Sequence, residues 1–195
     1  MLSSFKPVTM HPSHIPVCLF QSARLDFRKL AEGDFAALCA ILQDERTMYA
    51  WEHGFTAEEV RAWVDKNLHR YETDGFSYFA AIRRDTGELI GVMGPLMEEV
   101  EDTRHIGIAY ILRRDCWHCG YAAEGAAACL QYAFEELHAE QVIAQIRPEN
   151  TASRRVAERL GMTVTGQFVK TYRGKDMPHL IYAIGRAQAQ AFMQA

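Results

Sequence analysis

The fold is decided by residues 108–124, which read I-A-Y-I-L-R-R-D-C-W-H-C-G-Y-A-A-E. The apolar run from Ile108 to Leu112 is typical of a buried strand, and the apolar spacing becomes helical from Gly120 onward. The stretch therefore predicts a strand, a glycine-bearing loop and a helix. The first turn of a helix has free N–H groups and a partial positive charge, which can hold an anion, although an ordinary strand-to-helix turn ending in glycine explains the stretch equally well.

Outward from this stretch, strands and helices follow one another in a mixed order. Thr56 and Glu59 form a capping-box pattern that predicts the start of a helix ending at Gly75. The predicted strands cover 24–28, 78–83, 88–93, 103–112, 142–146, 163–172 and 177–185, and the predicted helices cover 32–43, 56–75, 120–137 and 150–160. This order predicts a fold of mixed α/β type (α+β), in which helices flank a central mixed sheet.

The chain is predicted to hold one folded domain. Residues 1–21 are rich in Pro, Ser and His without a period and are interpreted as an N-terminal arm, followed by a single domain over 22–186 and a C-terminal tail over 187–195. An acidic loop is predicted over residues 98–102. Its charge would suit a cationic acceptor, although an ordinary solvated loop is the more common explanation of such a stretch.

Composition narrows the class of protein. The 195 residues carry a formal net charge of −4, which argues against a nucleic-acid partner. No apolar run reaches the length of a membrane span and no signal-peptide pattern is present. The cysteines number five, and an odd count without a secretory signal favours a reducing cytoplasm over a disulfide framework. The expectation is a cytoplasmic protein that does not enter a membrane.

Three segments together resemble the GNAT superfamily of N-acetyltransferases over about residues 22–185. They are residues 108–124, residues 147–162 (R-P-E-N-T-A-S-R-R-V-A-E-R-L-G-M) and residues 55–96. The chain is most similar to the branch of RimJ/RimL-like acetyltransferases that modify the N-termini of ribosomal proteins. The resemblance implies a mostly antiparallel sheet splayed near 109–112 to admit pantetheine. It also implies acetyl-CoA as cosubstrate, no metal, and direct attack by a primary amine of a peptide, a protein or a small molecule; a homodimer is compatible with it.

The same resemblance assigns the cofactor-binding residues. It places the pyrophosphate against the loop and helix start, the pantetheine arm against Asn150, and the CoA thiol near Ser153, a candidate acid for the thiolate. The oxyanion donor is expected from the backbone of Ile111 or Leu112. The pyrophosphate-binding residues implied by the resemblance are His118, Cys119, Gly120, Tyr121 and Ala122. Capping of the following helix would by itself explain Asn150.

Two departures from the family pattern concern the phosphate loop. Asp115 stands where the family has Gln or Arg, and His118 stands at the first glycine of the pattern. The acid would repel a phosphate and the imidazole would crowd it, although Arg113, Arg114 or Arg154 could offset the charge. The sequence therefore leaves open a GNAT-fold protein that has lost tight CoA binding and works as a binding module.

The general base is the least defined part of the site. Many relatives carry a Glu where this chain has Gly107, and His105, two residues earlier, points to the same face of the strand. His105 is therefore a candidate base, with an ordinary surface histidine as the alternative. Tyr172 is a candidate proton donor to the thiolate or a packing residue. Further acidic candidates are Glu52, Glu98 and Glu99.

A rival interpretation rests on Cys116 and Cys119. A C-x-x-C pair between a strand and a helix is typical of a thioredoxin-like thiol–disulfide oxidoreductase. That fold also needs a proline facing the dithiol, and the candidate stretch 161–165 has none. One C-x-x-C supplies only two of the four ligands of a structural zinc site, so no metal is expected.

Overall fold

The computed structural model describes residues 17–193. The strands are β1 Cys18–Gln21, β2 Leu25–Lys29, β3 Phe79–Arg83, β4 Leu89–Val100, β5 Thr103–Leu112, β6 Gln141–Ile146, β7 Thr163–Tyr172 and β8 Lys175–Gly185. The helices are α1 Phe35–Leu42, α2 Ala57–Thr73, α3 Tyr121–Glu135, α4 Thr151–Arg159 and α5 Arg186–Met193. Within these residues, no helix is long and apolar enough to cross a membrane.

The strands form one sheet in the order β1-β2-β3-β4-β5-β6-β8-β7. All neighbours are antiparallel except β5 and β6, which are parallel and paired only at Gly107 and Ile143. Beyond that pair the two strands diverge, and a cleft opens between them. The predicted fold class, a mostly antiparallel splayed sheet with flanking helices, is confirmed.

Two apolar cores cover the two faces of the sheet. Phe27, Phe79 and Met93 pack with residues of α3 on one face, while Leu38 and Val64 from α1 and α2 pack on the other. Helix α3 lies close to β4 because position 125 is glycine: a Cβ there would overlap the sulfur of Met93. This close packing holds the start of α3 beside the end of β5.

Helix α2 begins and ends as the sequence predicts. The backbone N–H of Glu59 donates to Thr56 Oγ1 at 3.2 Å, and the N–H of Thr56 donates to Glu59 Oε2 at 2.8 Å. Gly75, with φ 85°, follows the last turn in the left-handed conformation that glycine adopts without strain. The capping box and Gly75 therefore fix the two ends of α2.

Three boundaries differ from those predicted. Residues 18–21, assigned to the arm, form β1 and pair with β2, because Phe20 stacks on Phe27 with ring centroids 4.6 Å apart. The tail forms α5 from Arg186. Strand β4 continues to Val100, so Glu98 and Glu99 lie on a strand and not in an acidic loop. The rest of the arm, residues 1–16, and residues 194–195 of the tail lie outside the described residues.

Candidate active site

A cleft of about 180 Å³ lies where β5 and β6 separate. Its inner walls are residues 108–110 of β5 and 144–146 of β6, and the start of α4 contributes Asn150 and Ser153. Its far end is lined by side chains from distant parts of the chain: Trp51, Tyr78, Glu98, Lys170, Tyr172, Met177 and His179. The cleft thus brings residues of the two separating strands together with titratable side chains from other parts of the chain.

The hydrogen-bond direction along β5 identifies which backbone N–H groups face the splay. Arg113 donates its N–H to the carbonyl of Ile90, toward β4, at 2.8 Å. Direction alternates along an antiparallel ladder, so the N–H of Ile111 also points to β4. The N–H groups of Tyr110 and Leu112 point the other way, into the splay. Of the two donors expected from the sequence, this geometry favours Leu112, and it adds Tyr110.

Asn150 and Ser153 meet at the start of α4. Asn150 Oδ1 accepts the N–H of Ser153 at 3.0 Å, so Asn150 is the N-cap, and the same oxygen accepts the hydroxyl of Tyr49. Within residues 17–193, Asn150 Nδ2 has no hydrogen-bond acceptor, which leaves the amide as a donor for a ligand in the cleft. Tyr110, which sequence reasoning missed, donates its hydroxyl to the carbonyl of Ser153 at 3.1 Å.

Two residues of the loop before α3 adopt left-handed conformations. Gly120 has φ 84° and His118 has φ 60°, so His118 holds a left-handed conformation that favours glycine. Asp115 is paired with Arg113 at 2.7 Å, and this hydrogen bond lowers the pKa of the Asp115 carboxyl. The negative charge that the sequence placed in the loop is therefore already matched by an arginine. Cys119, Tyr121 and Ala122 flank Gly120 in the chain, and their contact with a pyrophosphate stays a prediction.

Arg24 fixes the position of this loop from the neighbouring strand end. It donates to the carbonyl of Cys119 at 3.1 Å and to Glu124 in the first turn of α3 at 2.6 Å. Its guanidinium also lies over the ring of Tyr121, 4.3 Å from the centroid. The first turn of α3 is thereby held in place.

Among the acidic candidates, Glu98 lines the cleft and has a raised pKa, as a general base needs. A Cβ on Gly107 would lie 2.7 Å from Glu98 Cγ, so the Glu98 side chain occupies the space above the glycine. Burial raises the pKa of the Glu98 carboxyl. The neighbouring Glu99 is exposed.

The other candidates are placed less favourably for proton transfer. Glu52 is bound by Lys175 at 2.6 Å and Arg147 at 3.0 Å, and these hydrogen bonds lower its pKa. His105 lies opposite Glu98 in the β4–β5 register, outside the described lining of the cleft.

Two further cleft residues carry titratable groups. The ring of Tyr172 stacks on His53 with centroids 6.0 Å apart, and burial raises the pKa of its hydroxyl. His179 contacts the carbonyl of Met177 through Nδ1 at 2.9 Å, and burial lowers its pKa. His179 was not a candidate in the sequence because nothing in its local pattern distinguishes it.

The cysteine pair lacks the properties of a redox site. Both thiols are free; Cys116 is buried and Cys119 is exposed. Burial and the nearby carboxylate of Asp115 raise the pKa of Cys116, whereas a reactive thiol of this kind needs a lowered pKa. The geometry therefore gives no support to the oxidoreductase interpretation.

Comparison with known proteins agrees with this geometry. A family model described as an acetyltransferase (GNAT) domain matches residues 24–163. The chain is 34% identical to the uncharacterized N-acetyltransferase YnaD of Bacillus subtilis (strain 168), over 75% of this chain and 84% of that protein. A GNAT-family acetyltransferase structure from Bacillus anthracis has a TM-score of 0.72 at 30% identity, covering 85% of this chain and 97% of that one.

A further structural neighbour shares the fold at lower identity. RimL, a ribosomal L7/L12 alpha-N-protein acetyltransferase, has a TM-score of 0.74 at 19% identity over 92% of this chain and 99% of that one. Fold, cleft and comparisons together define an acyltransferase. The chain belongs to the GNAT acetyltransferase family, whose members transfer acetyl groups from acetyl-CoA to amine acceptors.

Proposed function

We propose that the protein transfers the acetyl group of acetyl-CoA to a primary amine by direct attack, with Glu98 as the general base. The observation that carries the proposal is the position of Glu98: it fills the space above Gly107, next to the strand whose free N–H groups face the splay. The carboxylate of Glu98, from the adjacent strand β4, would thus replace the glutamate that many family members carry at the position of Gly107.

The residues of the splay fit the cosubstrate. The channel between β5 and β6 would take the pantetheine arm, with Asn150 Nδ2 as a donor to one of its amide carbonyls. The free N–H groups at the start of α3, held by Arg24, would receive the pyrophosphate. Acetyl-CoA supplies the thioester that is attacked.

The chemistry then assigns a role to each group around the thioester. Glu98 takes a proton from the incoming ammonium so that the nitrogen lone pair can attack the carbonyl carbon. The N–H groups of Tyr110 and Leu112 stabilise the negative charge that develops on the carbonyl oxygen. The N–C bond forms first, and the C–S bond breaks as the tetrahedral intermediate collapses. A hydroxyl of Ser153 or Tyr172 gives its proton to the departing thiolate and recovers a proton from the attached nitrogen, which thereby becomes a neutral amide.

Glu98 is favoured over His179 as the base for a geometric reason. Glu98 projects from β4 over β5, which also carries the oxyanion donors, whereas His179 lies on β8, opposite Phe168 in the β7–β8 register. Burial raises the pKa of the Glu98 carboxyl and lowers the pKa of His179. Neither direction excludes a base at neutral pH, so position decides between them.

The test is acetyl-CoA-dependent thiol release with a panel of amines, combined with mass spectrometry of the N-acetyl product. We expect saturable thiol release that requires both an amine and acetyl-CoA and yields the acetylated amine in equal amount. Binding of acetyl-CoA without product from amino acids, peptides, polyamines or aminoglycosides would contradict the proposal and favour a binding module.

A further inference from the structure

Cationic side chains from two separate elements lie near enough to Glu98 for their charges to act on it. Lys170 of β7 lines the cleft directly. Lys66 and Arg70 lie one turn apart on α2, and burial together with the charges of Arg70 and Lys170 lowers the pKa of Lys66. The three cations therefore share one region although they are far apart in the sequence.

Two other cations at helix α2 have ion-pair partners, whereas Lys66, Arg70 and Lys170 have none among residues 17–193. Arg61 on α2 pairs with Glu32 at 2.6 Å, and Arg104 pairs with Asp74, at the end of α2, at 2.6 Å. The charge of Glu98 acts on Lys66, so a single carboxylate stands against three cations. A region with an excess of positive charge attracts an anionic group of a ligand.

Fewer acidic residues line this region than the sequence suggests. Of the acids at residues 98–102, Glu98 lines the cleft, whereas Glu99, Glu101 and Asp102 are exposed outside its lining. The charges of Lys66, Arg70 and Lys170 all act on Glu98. The charges of three cations thus act on one carboxylate. The region therefore favours an acceptor that carries a carboxylate over the purely cationic acceptor that the acidic stretch suggested.

We propose that the acceptor is a small amine that also carries a carboxylate, such as an amino acid, with the carboxylate held by Lys170, Lys66 and Arg70. This inference rests on the proposed acetyl transfer. The amine would lie at Glu98, and the apolar walls formed by Trp51, Tyr78 and Met177 would contact the body of the acceptor. A polyamine would bring further positive charge toward the same cations and be disfavoured.

The test compares acceptors that differ only in the carboxylate. Methionine and phenylalanine are assayed beside methioninamide and phenylalaninamide, with 1,4-diaminobutane and spermidine as polycations. The measured quantity is the ratio of kcat/KM for each amino acid to that for its amide, in the wild type, in Lys170→Gln and in Arg159→Gln. Arg159 is an exposed cation on the last turn of α4 that lies outside the cleft lining, so it controls for the loss of one positive charge.

The expected result is a higher kcat/KM for the amino acids than for the amides and the polyamines. Lys170→Gln should lower the amino acid to amide ratio by about tenfold, the size expected for one partly screened charge pair, and Arg159→Gln should leave it unchanged. Using the change in ratio cancels the different basicities of the two amines. The ratio should also fall as salt is added, because exposed charge pairs are screened.

Two results would overturn the inference. If the amides or polyamines are the better acceptors and Lys170→Gln leaves the ratio unchanged, the carboxylate subsite is wrong while acetyl transfer stands. If none of the six compounds is acetylated but an uncharged or cationic amine outside the set is, the subsite is again wrong. Absence of acetylation with every amine would remove the proposed function itself.

Discussion

The two ends of the cleft are built in different ways. At the cofactor end, the groups aimed at a ligand are mainly backbone N–H groups and one amide, placed by the end of β5 and the starts of α3 and α4. At the acceptor end they are side chains from α2, β4, β7 and β8. Backbone donors persist when side chains change, so we expect the cofactor end to tolerate Asp115 and His118, whereas the acceptor end can change its charge through single substitutions.

The largest effect should come from Glu98→Gln, which removes the base and leaves the shape of the cleft. We expect kcat to fall by about 10²–10³-fold, the range typical of general-base loss, with binding of acetyl-CoA unchanged. In the wild type, kcat/KM should rise with pH as the Glu98 carboxyl deprotonates. Because burial raises the pKa of Glu98, this acid limb should lie above the usual range of a glutamate and disappear in the variant.

Glu99→Gln is the matched control, since Glu99 is the adjacent acid on the same strand but is exposed. It should keep wild-type kcat. Burial disfavours the ionised form of Glu98, so thermal unfolding of Glu98→Gln at neutral pH should show stability equal to or above that of the wild type. An equal fall in kcat in both variants would mean that the effect comes from the loss of a negative charge on β4 and not from the loss of a base at Glu98.

Substitution of Asn150 separates capping from ligand binding at the cofactor end. Asn150→Asp keeps an N-cap oxygen for the N–H of Ser153 but loses the Nδ2 donor, whereas Asn150→Ala loses both. The alanine variant should be less stable by about 1 kcal/mol, and both variants should bind acetyl-CoA about tenfold more weakly. Wild-type affinity in Asn150→Asp, measured by calorimetry, would reduce Asn150 to a cap.

His118→Gly should have a smaller effect, in the opposite direction. Glycine relieves the strain of the left-handed conformation at φ 60°. This gain exceeds the cost of glycine's greater entropy in the unfolded chain, and the net increase in the free energy of unfolding is about 0.5 kcal/mol. The melting temperature should rise by about 1–2 °C, and CoA should bind as tightly as before or more tightly. His138→Gly, also left-handed at φ 54° but outside the site, should raise stability without a change in affinity; equal gains in affinity would show that position 118 does not approach the cofactor.

The smallest effect is expected at the cysteine pair. Cys116→Ala combined with Cys119→Ala should leave kcat/KM for acetyl transfer within about twofold, since neither thiol lies in the cleft lining. Complete loss of transfer in a folded variant would mean that the thiols take part in the chemistry.

The cofactor end could be predicted from sequence because its signals are local. The strand ending at Leu112, the glycine at position 120 and the N-cap at Asn150 each follow from a few adjacent residues. The exception is Ile111, whose N–H points to β4. Which N–H groups of a strand point to a given neighbour depends on the register between the two strands. The amino-acid pattern does not determine that register.

The acceptor end could not be predicted in the same way, because its residues are brought together by long-range pairing. Extension of β4 to Val100 places Glu98 over Gly107, and the β7–β8 hairpin places Lys170 beside Met177. A charge count over residues 98–102 suggested a cationic acceptor because it could not show that three of those acids lie outside the cleft. His105 was chosen for its position on β5, and the structure instead places Glu98 of the adjacent strand in the cleft.

The most direct test of the account is isothermal titration calorimetry of the purified protein with acetyl-CoA. The account predicts saturable binding of one acetyl-CoA per chain with a micromolar dissociation constant, because the splay between β5 and β6, the donors at the start of α3 and Asn150 are all in place. Absence of binding at millimolar acetyl-CoA would contradict it, since the splayed cleft would then not be a site for the cosubstrate.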